Sequence, residues 1–388
     1  MNLAGLTLTI TVKLFMKTIY ATMRLFLKVD PQKITFASYR SEKLSGNLYF
    51  VWKEVSENYP EYSCHFAIKK FHSSFWGKLD YVMHMMKSSY HLATSRYFII
   101  DDFYLPVYMI KPRKNTDIIQ LWHAAGALKK FGYSTVGKSF GPSREYLKHV
   151  KIHSNYSKVF VSSSEVIPYY AEAFNMPSER IFASGVPRTD IMFSSEFESE
   201  TKSKLYEKFP ELRKKKMILY APTYRGKSHY QEEYSIPMDL ERMEADLLEE
   251  GYVLVVHLHP YMKAGKNLNG KNGSFLYNVQ KEFNIQELLL ISDMLITDFS
   301  TVFFDYSLLK RPIIFFADDV DEYVKDRDFY YDYHQLIPGP LCTNTTQLIE
   351  TIKNSAFDLE RVNDFKNRFF DYQDGKATER IVQKLVGK

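Results

Sequence analysis

The chain has 388 residues, 45% hydrophobic and 16% aromatic, with 51 basic against 46 acidic side chains for a net charge of +5. That length fits two ordinary domains with filled cores, and so small a basic excess suits an anionic ligand or lipid headgroup and leaves nucleic acid out of the expected partners. The two cysteines, Cys64 and Cys342, stand in no C-x-x-C or Cys/His spacing, so neither a disulfide framework nor a structural zinc site is expected, and a reducing compartment is.

Residues 1–28, "MNLAGLTLTITVKLFMKTIYATMRLFLK", are apolar but interrupted by Lys13, Lys17, Arg24 and Lys28. They hold no uncharged run of about 18 residues, no leading basic region and no small-residue cleavage site, so neither a spanning helix nor a secretory signal is expected. From Val12 onward, Leu14, Phe15, Ile19, Met23, Phe26 and Leu27 recur at helical spacing with the cations between them. That pattern predicts an amphipathic helix lying on an anionic membrane face. The plainer reading is a helix packed on the protein body.

Next, "KITFASYR" predicts a strand, "SGNLYFVWKEVSEN" a helix and "YSCHFAIKK" a strand. "DYVMHMMKSSYHLATS" is helical and runs into the strand "RYFII", which Asp101 and Asp102 close. "DIIQLWH" is a strand, "SREYLKHVKIHSN" a helix, "KVFVSSS" a strand and "VIPYYAEAFN" a helix. Strands separated by helices predict a parallel α/β domain. A boundary is expected near the start of the charged stretch "SSEFESETKSKLYEKFPELRKKK", and a second series follows: strands in "MILYAPTYR", "YVLVVHLHP", "MLITDFS" and "PIIFFADD", helices in "PMDLERMEADLLEEG", "NIQELLLISD" and "TVFFDYSLLKR". The expected division is a helix over 1–28 and two Rossmann-like domains over 29–190 and 191–388. Two successive open α/β domains are the GT-B pattern of nucleotide-dependent transferases, and in such sheets ligands bind beyond the carboxyl ends of strands.

Four polar motifs fall at those ends: "WHAAG", "APTYRG", "HLHPY" and "ITDFSTVFFD". His123 follows an apolar strand, so it stands at a loop mouth where a base would be useful, although a lone histidine is more often structural. Ala124, Ala125 and Gly126 leave room for a ligand, and Lys129 and Lys130 add charge. His257 and His259 read as two positions on one strand face, ended by Pro260; with no third ligand nearby, no metal is expected. His259, nearer the loop, suits a phosphate oxygen, and His257 suits the core. Thr297 and Asp298 end a strand, Ser300 and Thr301 open a helix, and Asp305 lies farther along it. Hydroxyls and N–H groups at such a start suit a pyrophosphate, and capping by Asp298 or Ser300 is the compatible plainer reading. "APTYRG" supplies Thr223 and Arg225, whose fork fits a phosphate if it is not simply a surface arginine. Finally, "KKFHSSFWGKLDYVMHMMK" mixes Lys69, Lys70, Lys78 and Lys87 with Phe71, Phe75, Trp76, Met83, Met85 and Met86. This stretch predicts either a lipid-facing surface shared with the first helix or ordinary helix packing.

Together "LWHAAGALKKFG", "GVPRTD", "ILYAPTYR", "HLHP", "ITDFSTVFFDYSLLKRPIIFF" and "FYYDYHQLIPGP" resemble, in the same order, the CDP-glycerol glycerophosphotransferases of Gram-positive wall teichoic acid synthesis. The resemblance runs from Asp101 to Pro340, and the first hundred residues match only in general character. It implies a GT-B-like enzyme, peripheral on the cytoplasmic face of the cell membrane. The 29–190 domain would take the acceptor side and 191–388 would bind CDP-glycerol. An acceptor hydroxyl on a lipid-linked disaccharide (undecaprenyl-diphosphate GlcNAc-ManNAc) would attack the donor's β-phosphorus and release CMP, with no cofactor beyond the donor. Other teichoic acid enzymes are further expected partners. The family's two histidines fall on His123 and His259, the expected catalytic pair, and its Asp-aromatic-Ser-Ser/Thr segment on Asp298, Ser300 and Thr301. His123 is then the general base, and Thr223, Arg225, His259, Thr297, Asp298, Ser300 and Thr301 form the donor side. Trp122, Gly126, Lys129 and Lys130 form the acceptor side.

A single priming addition is expected, because the family's polymerases resemble W-H-G-T-P-L-K at the first motif. This chain reads Trp122-His123-Ala124-Ala125-Gly126-Ala127-Leu128-Lys129, one residue longer, and its length leaves no extra domain to hold a polymer. A glycerol- or ribitol-phosphate polymerase, a second-unit transferase, a CDP-ribitol donor and a sugar-nucleotide glycosyltransferase remain alternatives. A non-catalytic membrane scaffold is the rival from another class, and intact His123, His259 and Asp298 stand against it.

Overall fold

A computed structural model describes residues 3–387 except 71–73, 225–231, 260–261, 266–267 and 269–272. The chain divides into two compact units, 1–188 with 376–388, and 189–375.

In the first unit, β1 (Asp30–Ser38), β2 (Ser63–Ile68), β3 (Ser95–Ile100), β4 (Asp117–Gln120), β5 (Lys158–Val161) and β6 (Ile181–Ala183) form one sheet in the order β2-β1-β3-β4-β5-β6. Every pairing is parallel. The centre of such a sheet is covered on both faces, which is why β1 is buried without interruption from Lys33 to Ser38 and β3 is nearly so. The register sets Ala37 beside Ile100 and Ile100 beside Gln120, so the carboxyl ends of β1, β3 and β4 lie side by side.

Three helices matter to this unit: α1 (Leu3–Phe26), α2 (Gly46–Asn58) and α3 (Phe75–Thr94). The start of α3 is fixed by Ser74, whose side chain accepts the Gly77 N–H at 3.1 Å. α1 packs on α3, burying Met16 and Tyr20, while Arg24 donates to the Lys111 carbonyl and Lys13 to that of His149. The helix is therefore docked on the body, as the plainer reading had it. Apolar side chains stay open at two places, with Leu25 and Phe26 at the end of α1 81% exposed and Phe75 and Trp76 at the start of α3 74% exposed. Phe71 lies outside the described residues. Among those described, no helix is long and apolar enough to cross a membrane.

The expected boundary at 190 falls two residues from the observed one, but the chain does not stay in the second unit to its end. The helix Ala377–Val386 returns and places Ile381, Val382, Leu385 and Val386 in the core of the first sheet, with Ile34, Phe36, Ile99 and Ile119. Its sequence is amphipathic, and only the tertiary fold says which core it completes. Gly185 shows how close it comes: at φ +94°, a Cβ there would lie 2.6 Å from the Ala377 Cβ.

The second unit holds β7 (Lys216–Tyr220), β8 (Glu232–Tyr234), β9 (Tyr252–Val256), β10 (Met262–Ala264), β11 (Leu276–Asn278), β12 (Met294–Thr297), β13 (Ile313–Phe316) and β14 (Leu341–Cys342). Its main sheet runs β11-β9-β7-β12-β13-β14, all parallel, and β8 and β10 pair separately. All five residues of β9 are buried; each buried Val or Leu contributes about 1.5–3 kcal/mol relative to an exposed one. The edge strands β6, β11 and β14 and the β8–β10 pair carry two or three residues each, too few for alternation to announce them in sequence.

Candidate active site

In the first unit the polar residues gather past three adjacent strand ends. Arg40 follows β1, Asp102 follows β3 and His123 follows β4. The chain leaves β4 with the Leu121 N–H on the Ile100 carbonyl at 2.8 Å, then turns sharply. Trp122 takes a left-handed conformation at φ +53°, which costs a non-glycine residue about 1–3 kcal/mol and persists only where the surroundings over-determine it.

Those surroundings are polar clamps and aromatic packing. The Trp122 N–H donates to Gln120 Oε1 at 2.8 Å, and Asn47 Nδ2 donates to the Trp122 carbonyl at 2.8 Å. Asn47 also accepts the Arg188 N–H at 3.0 Å, and Arg188 in turn donates through its guanidinium to the His123 carbonyl. Gln120 Nε2 donates to the Asp102 carbonyl and to Tyr156 Oη, each at 3.0 Å. The indole stacks on Phe131 with centroids 5.0 Å apart and lies 4.5 Å from the His123 ring.

The strained turn aims His123. Its Nδ1 lies 3.3 Å from Asp102 Oδ2, within ion-pair range but not aligned as a hydrogen bond. Surrounding protein pushes the imidazole down to about 3, against the opposing pull of Asp102 and with help from Arg40 and Arg188. The side chain keeps 35% of its exposure, which tempers the penalty without changing its direction: the ring is neutral near pH 7 and able to accept a proton. Asp101 is held by Ser38 Oγ at 3.1 Å and is raised to about 7 by burial and by the neighbouring Asp102.

Of the other acceptor-side residues, Gly126 has φ +70°, its N–H on Ser162 Oγ at 3.2 Å and its carbonyl on Tyr170 Oη at 3.0 Å. Lys129 and Lys130 are half-buried. From the sequence Asp101 and Asp102 stand out only as the pair that closes a strand, and Arg40, Asn47, Gln120 and Arg188 carry no expected role. The available signal was the acidic pair at the carboxyl end of "RYFII".

The second unit repeats the arrangement with different chemistry. Thr223, His259 and the Asp298–Thr301 segment follow β7, β9 and β12, again three neighbours. Thr297 is buried with its hydroxyl donating to the Ala221 carbonyl at 2.7 Å. Asp298 is buried too, accepting the Thr223 N–H at 2.7 Å on its carboxylate and the Tyr333 O–H at 3.0 Å on its carbonyl. These two residues tie the loops together. Thr223 Oγ1 is buried and, among the described residues, makes no hydrogen bond. Ser300 and Thr301 are half-buried, and Thr301 stands at the start of the helix Val302–Ser307 without a side-chain capping bond. The hydroxyls are thus not used up as caps.

β9 ends at Val256, so His257 and His259 sit in the loop beyond it, not on one strand face as their spacing predicts. The His257 N–H still continues the ladder to the Tyr220 carbonyl at 3.0 Å, and burial pushes its imidazole down to about 4, which suits a core residue. His259 is half-buried and stacked on Tyr224 with centroids 5.6 Å apart. Arg225 and Pro260 lie outside the described residues. Among the described residues, no three His, Cys, Asp or Glu side chains form a metal site.

Two open parallel sheets, each presenting polar side chains past the carboxyl ends of adjacent strands, define a GT-B-like α/β transferase. The chain matches the family CDP-Glycerol:Poly(glycerophosphate) glycerophosphotransferase over residues 19–387 and belongs to it; it is a phosphotransferase. It is 40% identical to the teichoic acid ribitol-phosphate primase of Bacillus spizizenii (97% of this chain, 96% of that one). It is 41% identical to the teichoic acid poly(ribitol-phosphate) polymerase of the same organism (95% and 58%). With the teichoic acid glycerol-phosphate primase of Bacillus subtilis it shares 31% (77% and 76%). The solved wall teichoic acid polymerase TagF has the same fold, with a TM-score of 0.77 at 23% identity over 99% of this chain and 98% of that one.

Proposed function

We propose that this enzyme transfers one polyol-phosphate unit from a CDP-polyol to a hydroxyl of a membrane-lipid-linked acceptor, releasing CMP, as a priming step of wall teichoic acid synthesis. The observation that carries this reading is the neutral, protein-enclosed His123 at the carboxyl edge of the first sheet. A histidine there accepts the proton of the attacking hydroxyl as oxygen bonds to the β-phosphorus. The β-phosphorus–oxygen bond of the pyrophosphate breaks, and CMP leaves with the electron pair. In the second unit, the Thr223 hydroxyl, which makes no hydrogen bond among the described residues, joins Ser300, Thr301 and His259 in supplying hydrogen bonds to the pyrophosphate, and Arg225 adds charge. Thr297 and Asp298 position those loops from behind.

CDP-glycerol is the donor in the family's description and CDP-ribitol is the second reading. The relatives favour ribitol: identity is 40% over 97% of the chain to the ribitol-phosphate primase against 31% over 77% to the glycerol-phosphate primase. The acceptor is the lipid-linked disaccharide, bare or already carrying one unit. Incubating the enzyme with each CDP-polyol and each acceptor, then weighing the products, tests all of this. One added unit is expected. A ladder of additions makes the enzyme a polymerase, and no addition from either donor removes the proposed reaction.

A lipid-linked acceptor calls for an enzyme at the cytoplasmic membrane face. Supporting this are exposed apolar side chains at the end of α1, Leu25 and Phe26, and at the start of α3, Phe75 and Trp76, with Lys17, Arg24, Lys28 and Lys78 on or beside the same helices: apolar groups to insert, cations to meet anionic headgroups. Replacing the four apolar residues by serine should abolish sedimentation with anionic vesicles, and salt should weaken that of the parent protein. Undiminished binding of the fourfold variant would remove this attachment.

A further inference from the structure

Three neighbouring strands of the first sheet each end in a charged or titratable residue, of which the reaction above uses only His123. Arg40 Nη1 lies 2.9 Å from Asp102 Oδ2. The same oxygen lies 3.3 Å from His123 Nδ1. Asp102 is only 7% exposed and is held from several sides: Oδ1 accepts the Phe103 N–H, its carbonyl accepts Gln120 Nε2, and Arg40 fixes Oδ2. We infer that Asp102 is a positioning residue for the transfer, its carboxylate holding His123 in the tautomer protonated on Nδ1 so that Nε2 is the free base. This rests on the reading of His123 as the general base.

The reasoning is electrostatic and geometric. A lone pair on Nδ1 facing a carboxylate oxygen at 3.3 Å is repelled, whereas an N–H is attracted. The Asp101 backbone also faces the ring and favours its protonated form. Nδ1 is fully buried, yet the side chain keeps 35% of its exposure, so the accessible edge lies on the other side, toward Nε2. The present pair is loosely aligned, as catalytic hydrogen bonds commonly are before substrate arrives.

As the acceptor's proton passes to Nε2, the ring becomes a cation facing Arg40 and Arg188, both of which oppose it, and Asp102, which favours it. The carboxyl of Asp101, next in the chain to Asp102, is raised to about 7. Asp102 is thus the group that offsets the two arginines while the new oxygen–phosphorus bond forms. Arg40, by pairing with the same Oδ2, holds that carboxylate in place beside Nδ1. After CMP leaves, Nε2 returns its proton to solvent and the Nδ1–H tautomer is restored.

The test is nitrogen NMR of the full-length protein labelled with ¹⁵N-histidine, with His123→Ala identifying the signal, combined with steady-state kinetics. At pH 7 the parent His123 should be the Nδ1–H tautomer. Asp102→Asn, whose amide can donate to Nδ1, should shift it to Nε2–H and lower kcat roughly 10²–10⁴-fold with the donor KM within about twofold. Asp102→Glu should recover part of the loss. An Nε2–H tautomer in the parent protein overturns the inference, and this measurement decides even if Asp102→Asn does not fold. If His123→Ala is inactive while Asp102→Asn turns over like the parent, this inference alone fails. If His123→Ala itself keeps its turnover, the general-base reading fails with it.

Discussion

The two strand-end clusters are built alike and finished differently. In the first, His123 sits after a strained Trp122 whose N–H and carbonyl are both committed, and Arg188 secures the next carbonyl. In the second, Asp298 and Thr297 are committed, while the Thr223 hydroxyl is left buried without a partner among the described residues. A group that must meet one moving proton needs a fixed direction, and strain held by several hydrogen bonds supplies it. A group that receives a phosphate needs vacant hydrogen-bonding capacity, which a ligand then fills.

The largest expected effect breaks the first cluster. His123→Ala should lower turnover by about two to four orders of magnitude while calorimetry finds CDP-polyol affinity nearly unchanged; near-parental turnover would take His123 out of the reaction. Next, His259→Ala should weaken donor binding roughly 10–100-fold, the range of a lost hydrogen bond to a charged group, and unchanged affinity would make His259 structural. Thr223→Val sharpens the contrast, because it should cost about tenfold in donor affinity yet hold or raise the melting temperature, since it removes a buried hydroxyl that has no partner among the described residues. A fall in both would mean the hydroxyl serves the fold.

Asn47→Ala should do the reverse of Thr223→Val. It strips one hydrogen bond from the Trp122 carbonyl and one from the Arg188 N–H, so stability should drop by about 1–3 kcal/mol with the donor affinity intact. The smallest effect is a pH dependence at Asp101. A carboxyl raised from 3.8 to about 7 in the folded state adds stability that is fully present below pH 3.8 and lost as pH rises through 7. Asp101→Asn should therefore melt progressively higher than the parent as pH is raised from 5 to 8, and a constant difference across that range would contradict the shift.

Much of this architecture was legible without coordinates. Apolar runs such as "RYFII", "YVLVV" and "PIIFF" carry their own reason to be buried parallel strands, and the polar residue after each run must emerge at a carboxyl end because the chain direction fixes it. That reasoning located His123, Thr223, His259 and Ser300. It misjudged where β9 stops, because the backbone at His257 continues the ladder for one bond without the strand. The sequence also made the last helix amphipathic, but amphipathicity names a buried face and not the core that receives it; the fold gave that helix to the first sheet. Above all, strand order is not written locally. β1, β3 and β4 are neighbours, as are β9, β7 and β12, through crossovers whose placement depends on the packing of the whole unit. Only that order sets Arg40, Asp102 and His123 within ion-pair range although they are separated along the chain. Chain direction is a local property and decided which residues reach an edge; lateral order is a collective one and decided which of them meet.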